Sequence, residues 1–376
     1  MKPGHFQAIR KAGIGAALLA AGLGAAGASQ AQSYQFIDLG NGSAYGINNL
    51  GQVVGKSDTG VTLWSGGSTT TLASGGGESY AYAINDAGQI AGASITTRSY
   101  ATYWSAGSHN AAGLDTPPLG GIVDNSGSYT RGINNAGQIA GNSENSAVIW
   151  GPNGSNPTAL TLENSNSTTA NGINNLGEVV GYASATSGNA WYVPVEWTKG
   201  NATVLPTLGG QYTYANAVND AGVIVGSATT SIGGNLTYAT EWKGSSIITL
   251  GSLGGYASAA NAINNAGEAV GYSTNAAGNF FATAWNGSKI VNLNSLLSPS
   301  EVQAGWVLLT ATGINNNGWV TGDAENTKTG ARDAFLLEIS PVPEAGSSGM
   351  LAAGLAMIGA VAYARRNRSR SRNTVG

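Results

Sequence analysis

The chain has 376 residues, of which only 9% are charged, against ~25% in an ordinary globular protein. It contains no cysteine and two histidines, which excludes a disulfide framework and leaves too few ligands for a zinc centre. Residues 32–340 hold eight Lys and Arg against 18 Asp and Glu, a net charge near −10, so no nucleic-acid partner is expected, because phosphate binding needs a basic surface.

The first element is a leader. Lys2, Arg10 and Lys11 precede an apolar run over 12–23, and the small-residue stretch Ser29-Gln30-Ala31 follows. A charged start, a short apolar stretch and a small-residue exit predict a secretory signal over 1–31, removed by signal peptidase after Ala31.

From residue 32 to 340 one pattern recurs seven times. Its anchor reads Ile-Asn-Asn/Asp-x-Gly and begins at Ile47, Ile84, Ile133, Ile173, Val218, Ile263 and Ile314. Asn follows every anchor, and Gly recurs four and eight positions after it. An apolar strand, an Asn-rich turn closed by Gly and a second apolar strand predict a β-hairpin, because Asn favours turns and Gly tolerates the left-handed conformation. A third strand ends at Trp64, Trp104, Trp150, Trp197, Trp242 and Trp285, and a fourth leads through a Gly-containing loop into the next copy. Four short strands per repeat with a Trp on the third predict a propeller blade.

Small residues fill two positions of each first strand. The residue before the anchor is always Gly or Ala, and the residue three before is Ala in six copies and Thr130 in the other. Strict alternation puts these two positions on one face. That predicts a crowded innermost strand whose bare face is covered by the indole of a neighbouring blade.

The ends of the array match each other. The seventh copy has Leu337 where Trp would stand and no fourth strand, while Phe36-Ile37-Asp38-Leu39 precedes the first anchor as an orphan strand. The fold class expected is therefore all-β: a seven-bladed β-propeller closed by its N-terminal strand, which leaves no open sheet edge. A β-solenoid is the alternative; it explains the repeat but not the matched ends.

The last element, 341–376, is a second targeting segment. Val342-Pro343-Glu344 precedes an uncharged span over 345–364, about long enough to cross a bilayer as one helix. Arg365 and Arg366 open an arginine cluster that holds the following end on the cytoplasmic side.

The recurrent Leu-Gly-Gly, Ala-Ile-Asn-Asn-Ala-Gly and Gly-Tyr-Ser segments resemble the bacterial extracellular HAF-repeat family, whose triplet stands here as Asp333-Ala334-Phe335. The C-terminal segment resembles a PEP-CTERM sorting signal, with Ala345 in place of the usual second proline. The resemblance implies recognition of Val342, Pro343 and Glu344 by an exosortase-type enzyme. It also implies an inner-membrane-anchored precursor and a final place on the cell surface or in the extracellular matrix.

Chemistry-bearing constellations are sparse, and no catalytic, cofactor or metal residue is expected. The one histidine after the leader, His109, lies in a Gly/Ala/Asn-rich loop without a nucleophile elbow nearby. No Asp-rich calcium loop occurs, and no Lys-bearing helix follows the Gly pairs as a phosphate loop requires. The Asn-rich turns read as turn chemistry alone. Glu196 and Glu241, each one before a Trp, are the carboxylates that a polysaccharide hydrolase or lyase would use.

The variable connections into the first strands are tyrosine-rich: Tyr80, Tyr82, Tyr129, Tyr212, Tyr214 and Tyr256, with Tyr45 just inside the first copy. Variable segments on a rigid scaffold are where binding residues gather. The expected function is a non-enzymatic binding or structural protein of the envelope or polysaccharide matrix, with these rings as the ligand face. Packing of the rings between blades is the competing reading.

Overall fold

The computed structural model describes residues 33–114, 127–185, 191–230 and 236–340. The predicted leader with Ala31, the sorting motif, the apolar span and the arginines after it lie outside these residues. Among the described residues no helix is long and apolar enough to cross a membrane.

The described chain is all-β and forms a β-propeller. In the first repeat, β1 (Ser33–Ile47), β2 (Val53–Ser57), β3 (Gly60–Ser65) and β4 (Ser68–Thr71) pair antiparallel in order. The second, third and fourth repeats each form a four-stranded sheet of the same kind, and the later ones repeat the pairing. In the seventh repeat the strands Trp306–Ile314, Val320–Asn326 and Arg332–Ser340 are followed in the sheet by β1, not by a strand of their own. The long first strand thus serves two blades. Its second half pairs with β2, and its first half supplies the seventh blade's fourth strand, as the orphan Phe36-Ile37-Asp38-Leu39 predicted.

The hairpin chemistry is as expected. The glycines four after each anchor all have φ between +71° and +82°, and each donates its N–H to the carbonyl of the anchor Asn, as in Gly137 N to Asn134 O at 2.9 Å. The glycines eight after each anchor have a different reason. A Cβ at Gly55, Gly92, Gly141, Gly181, Gly226, Gly271 or Gly322 would collide with the carbonyl oxygen of the residue four before the anchor, such as Thr169 opposite Gly181. Here Gly is required by the neighbouring backbone, not by its own dihedrals.

That close approach belongs to a β-bulge in every first strand, and the bulge corrects the alternation argument. The register slips between the residues three and one before the anchor in all seven repeats: Ala44/Gly46, Ala81/Ala83, Thr130/Gly132, Ala170/Gly172, Ala215/Ala217, Ala260/Ala262 and Ala311/Gly313. A single extra residue turns the following side chains to the other face. Ala81 accordingly packs toward the first blade and Ala83 toward the third. The two small positions serve opposite interfaces.

The Trp residues cover one of them, but the indole comes from the same blade and not, as expected, from a neighbouring one. Trp104 packs with Ala81 of its own blade and with Val54, Val61 and Leu72 of the preceding one. Trp242 and Trp285 repeat the arrangement with Ala215 and Ala260. Indole N–H groups also tie blades together: Trp104 donates to Ala73 O at 2.9 Å, Trp197 to Thr161 O at 3.0 Å and Trp242 to Pro206 O at 2.8 Å. The other small position meets main chain, since a Cβ at Gly46 would come 2.9 Å from Tyr82 O and one at Gly172 2.8 Å from Asn216 O. In the seventh blade Leu337 fills the Trp position, paired with Val320 and buried.

Candidate functional site

The two ends of the first strands bound the central axis, and they differ. At the anchor end a cavity of about 200 Å³ is lined by the anchor residue and the two residues after it from all seven repeats. Its walls are two closed circuits of hydrogen bonds. In the first, the side-chain amide of Asn48 donates to Asn85 O, Asn85 to Asn134 O, Asn134 to Asn174 O, Asn174 to Asn219 O, Asn219 to Asn264 O, Asn264 to Asn315 O, and Asn315 back to Asn48 O, at 2.9–3.2 Å. In the second, the backbone N–H of the following residue donates to the side-chain oxygen of its counterpart in the next blade: Asn49 to Asp86, then Asn135, Asn175, Asp220, Asn265, Asn316 and Asn49 again, at 2.8–3.0 Å.

The first Asn of each repeat is also a turn cap. Asn134 Oδ1 accepts from the backbone of Ala136 and Gln138, and its amide reaches Gln138 Oε1 at 2.9 Å. Turn chemistry therefore accounts for only half of this residue; the other half is the circuit between blades, which demands an amide because a carboxylate could accept but not donate. The two carboxylates in the second circuit are held by amides. Burial pushes Asp220 up, but hydrogen bonds from Asn175 and Asn265 outweigh it and leave the carboxyl below its usual range. This end is scaffold: its polar groups answer one another.

Moving along the same strands away from the anchor, the residue at the bulge, two before the anchor, begins a third circuit. Asn171 donates to Ala215 O, Asn216 to Ala260 O and Asn261 to Ala311 O, each at 2.9 Å, and Thr312 Oγ1 to Ala44 O at 2.8 Å. Blades four to seven are latched in this way. In blades one, two and three the same position holds Tyr45, Tyr82 and Arg131, and among the described residues the latch is made only in blades four to seven. Three consecutive blades have given up a hydrogen bond worth ~0.5–1.5 kcal/mol each for two phenols and a guanidinium.

Those three side chains join others into one group. Tyr80 and Tyr82 stack with interplanar angle 6° and centroids 5.9 Å apart, and Tyr45 lies 5.4 Å from Tyr82. The Arg131 guanidinium stands over both Tyr82 and Tyr129 at 5.0 Å, and Lys56, ion-paired with Glu78, stands over Tyr80 at 4.8 Å. Burial raises the phenol pKa of Tyr45, Tyr82 and Tyr129, with Arg131 partly offsetting it for the last two. Tyr129 feels Tyr182, which begins a second group: Tyr182 meets Tyr214 edge-on at 4.9 Å and Tyr192 at 5.2 Å, and Tyr212 meets the exposed Trp191 at 5.5 Å. Burial first, then the neighbouring phenols, push Tyr214 up to about 12.

Five of the six tyrosines singled out from sequence, together with Tyr45, are gathered here. Tyr212 stays in the connection before its strand, as expected, but the others sit in a different element. Tyr80, Tyr82, Tyr129, Tyr214 and Tyr256 lie within first strands, not in the connections, because those strands extend further toward this end than the apolar pattern suggests. Tyr256 is exposed and stands over Gly278, outside the group. Arg131, Lys56, Tyr182, Trp191 and Tyr192 were not recognised in the sequence. Aligning the position two before the anchor finds Arg131, since it shares that column with Tyr45 and Tyr82.

The carboxylates read as hydrolase candidates are not brought together. Glu196 and Glu241 occupy the same place in successive blades. Burial raises both, with Glu178 adding to the first and Lys243 offsetting the second. Neither is the other's electrostatic neighbour. His109 is an exposed loop residue whose carbonyl accepts from Ala73. Among the described residues no group of His, Cys, Asp and Glu is arranged to hold a metal.

One buried acid at this end carries a stability prediction. Burial pushes Asp323 up to about 6, against hydrogen bonds from Ser43 and the Ala44 N–H, and its Oδ1 has no partner among the described residues. The folded protein thus holds this proton more tightly than the unfolded chain. The resulting stabilisation is fully present below the unfolded pKa, near 4, and is lost as pH rises through 6. Asp323→Asn is expected to raise stability at pH 7.5 by about 3 kcal/mol and to leave it nearly unchanged at pH 4, read by thermal melts at both. Equal effects at the two pH values would contradict it.

No family model matches the chain, and no curated protein matches it. Among solved structures the chain is similar to TolB from Acinetobacter baumannii (12% identity, TM-score 0.41, 66% of this chain and 63% of that one). It is also similar to the extracellular domain of a putative one component system, BT4673, from B. thetaiotaomicron (10%, 0.44, 81% and 40%), and to YCF48 bound to D1 peptide (11%, 0.42, 82% and 97%). The chain spans less than two thirds of the length of the first two. At these scores the likenesses carry no functional argument, and the reading below rests on the chain's own geometry.

Proposed function

We propose that this seven-bladed disc, closed by its N-terminal strand, is an exported, non-enzymatic binding protein that holds extracellular polysaccharide on the tyrosine-rich end of its axis. The supporting observation is the interrupted third circuit: a position that serves the scaffold in blades four to seven is given over to Tyr45, Tyr82 and Arg131 in blades one to three. A scaffold with no ligand has no use for that asymmetry. Tyrosines present an apolar face to the C–H side of a sugar ring and a hydroxyl to its polar edge, and the neighbouring exposed Trp191 extends the platform. The leader and sorting signal read in the sequence agree with this destination.

The test is the double variant Tyr80→Ala/Tyr82→Ala in the secreted protein, assayed by affinity electrophoresis in gels containing the producing cell's own exopolysaccharide. Binding is expected to fall tenfold or more. Retardation equal to that of the unaltered protein would remove these rings from the site.

A further inference from the structure

We infer that the polysaccharide held at this end is acidic, and that the Arg131 guanidinium receives the carboxylate of a uronate unit. The inference rests on the polysaccharide-binding reading above and goes one step further, to the charge of the ligand.

Two observations carry it. Arg131 stands at a position whose structural task elsewhere is to donate to the next blade's main chain, and it does not perform that task. Its guanidinium instead lies over Tyr82 and Tyr129, both at 5.0 Å, and bonds the Tyr129 hydroxyl. These two phenols hold the group in place, and of its five N–H donors others remain for a ligand. Those donors match the two oxygens of a carboxylate in a bidentate pair.

Second, Arg131 is exposed and takes part in no ion pair among the described residues, whereas Lys56, the other cation of the group, is committed to Glu78. The acidic balance of residues 32–340 opposes any diffuse attraction of a polyanion, so a preference for an acidic polymer has to come from this one contact. The tyrosines supply the sugar platform, and the arginine reads whether the ring carries an acid.

The experiment measures binding of the secreted protein to alginate, polygalacturonate and hyaluronate, and to the same three polymers after carboxyl reduction, which removes the charge and keeps the sugar backbone. At low salt the acidic form of at least one polymer is expected to bind tenfold or more tightly than its reduced form, and the preference shrinks as salt screens it. Arg131→Gln is expected to abolish the preference with an unchanged melting temperature, while Lys243→Gln, an exposed cation on an outer strand, preserves it. Equal binding of acidic and reduced polymers, or a preference that survives Arg131→Gln, overturns the inference and leaves the polysaccharide reading standing. Failure of all six polymers to bind counts against both. A lower melting temperature for Arg131→Gln without loss of preference returns the residue to a structural role.

Discussion

Removing residues 32–40, so that the propeller begins at Asn41, is expected to unfold it or to lower its melting temperature by well over ten degrees. These residues are the fourth strand of the seventh blade, and without them the edge of Arg332–Ser340 is open. They also carry core side chains. Tyr34 and Phe36 pack on the cluster around Leu308 and Phe335, with Phe36 5.1 Å from Trp306 and 6.4 Å from Phe335. Ile37 and Leu39 pack on the cluster that joins the seventh blade to the first. At ~1.5–3 kcal/mol for each large apolar side chain fully buried, and less for these partly buried ones, the four contribute on the order of 5 kcal/mol before any ladder bond is included. That is comparable with the whole stability of a typical domain, 5–15 kcal/mol. Calorimetry on proteins starting at Gln32 and at Asn41 decides the matter. Coincident melts would mean that the ring does not depend on its closing strand.

The second large effect is expected at the first circuit. Asn134 is 3% exposed and makes four hydrogen bonds: two through Oδ1 to the turn, one to Gln138 and one across to Asn174 O. Asn134→Ala leaves the Ala136 and Gln138 N–H groups without their partner and takes one of two donors from Asn174 O, which keeps the Gly177 N–H; each orphaned N–H costs ~1–3 kcal/mol. A loss of about 4 kcal/mol in chemical denaturation follows. Asn134→Asp is informative beside it, because a carboxylate keeps the two accepting bonds and loses both donating ones. Asn135→Ala, one residue on and exposed, is expected to cost less than half as much. If the two alanine variants are equally mild, the circuit is incidental to stability and the Asn is a turn residue after all.

Much of this architecture was legible in order along the chain. The anchor Ile, the Asn-rich turn and the glycine four positions on specify a hairpin locally, since each acts within five residues. The number of blades followed from the repeat, and the closing strand from the missing fourth strand at one end and the spare one at the other. What local pattern could not show was any property arising between repeats. The bulge is set by two strands jointly, so alternation alone assigned Ala81 and Ala83 to one face when they serve two. The second glycine is fixed by a carbonyl on the neighbouring strand, and nothing in its own segment reveals it. The donor role of the anchor Asn exists only because blades meet side by side, 37 to 51 residues apart for six of the bonds and 267 for the Asn315 to Asn48 bond that closes the ring. The site is the same kind of fact. Tyr45 and Tyr82 stood out along the chain as tyrosines and Arg131 did not, and it is the closed ring that sets the three side by side where their counterparts in blades four to seven are latched.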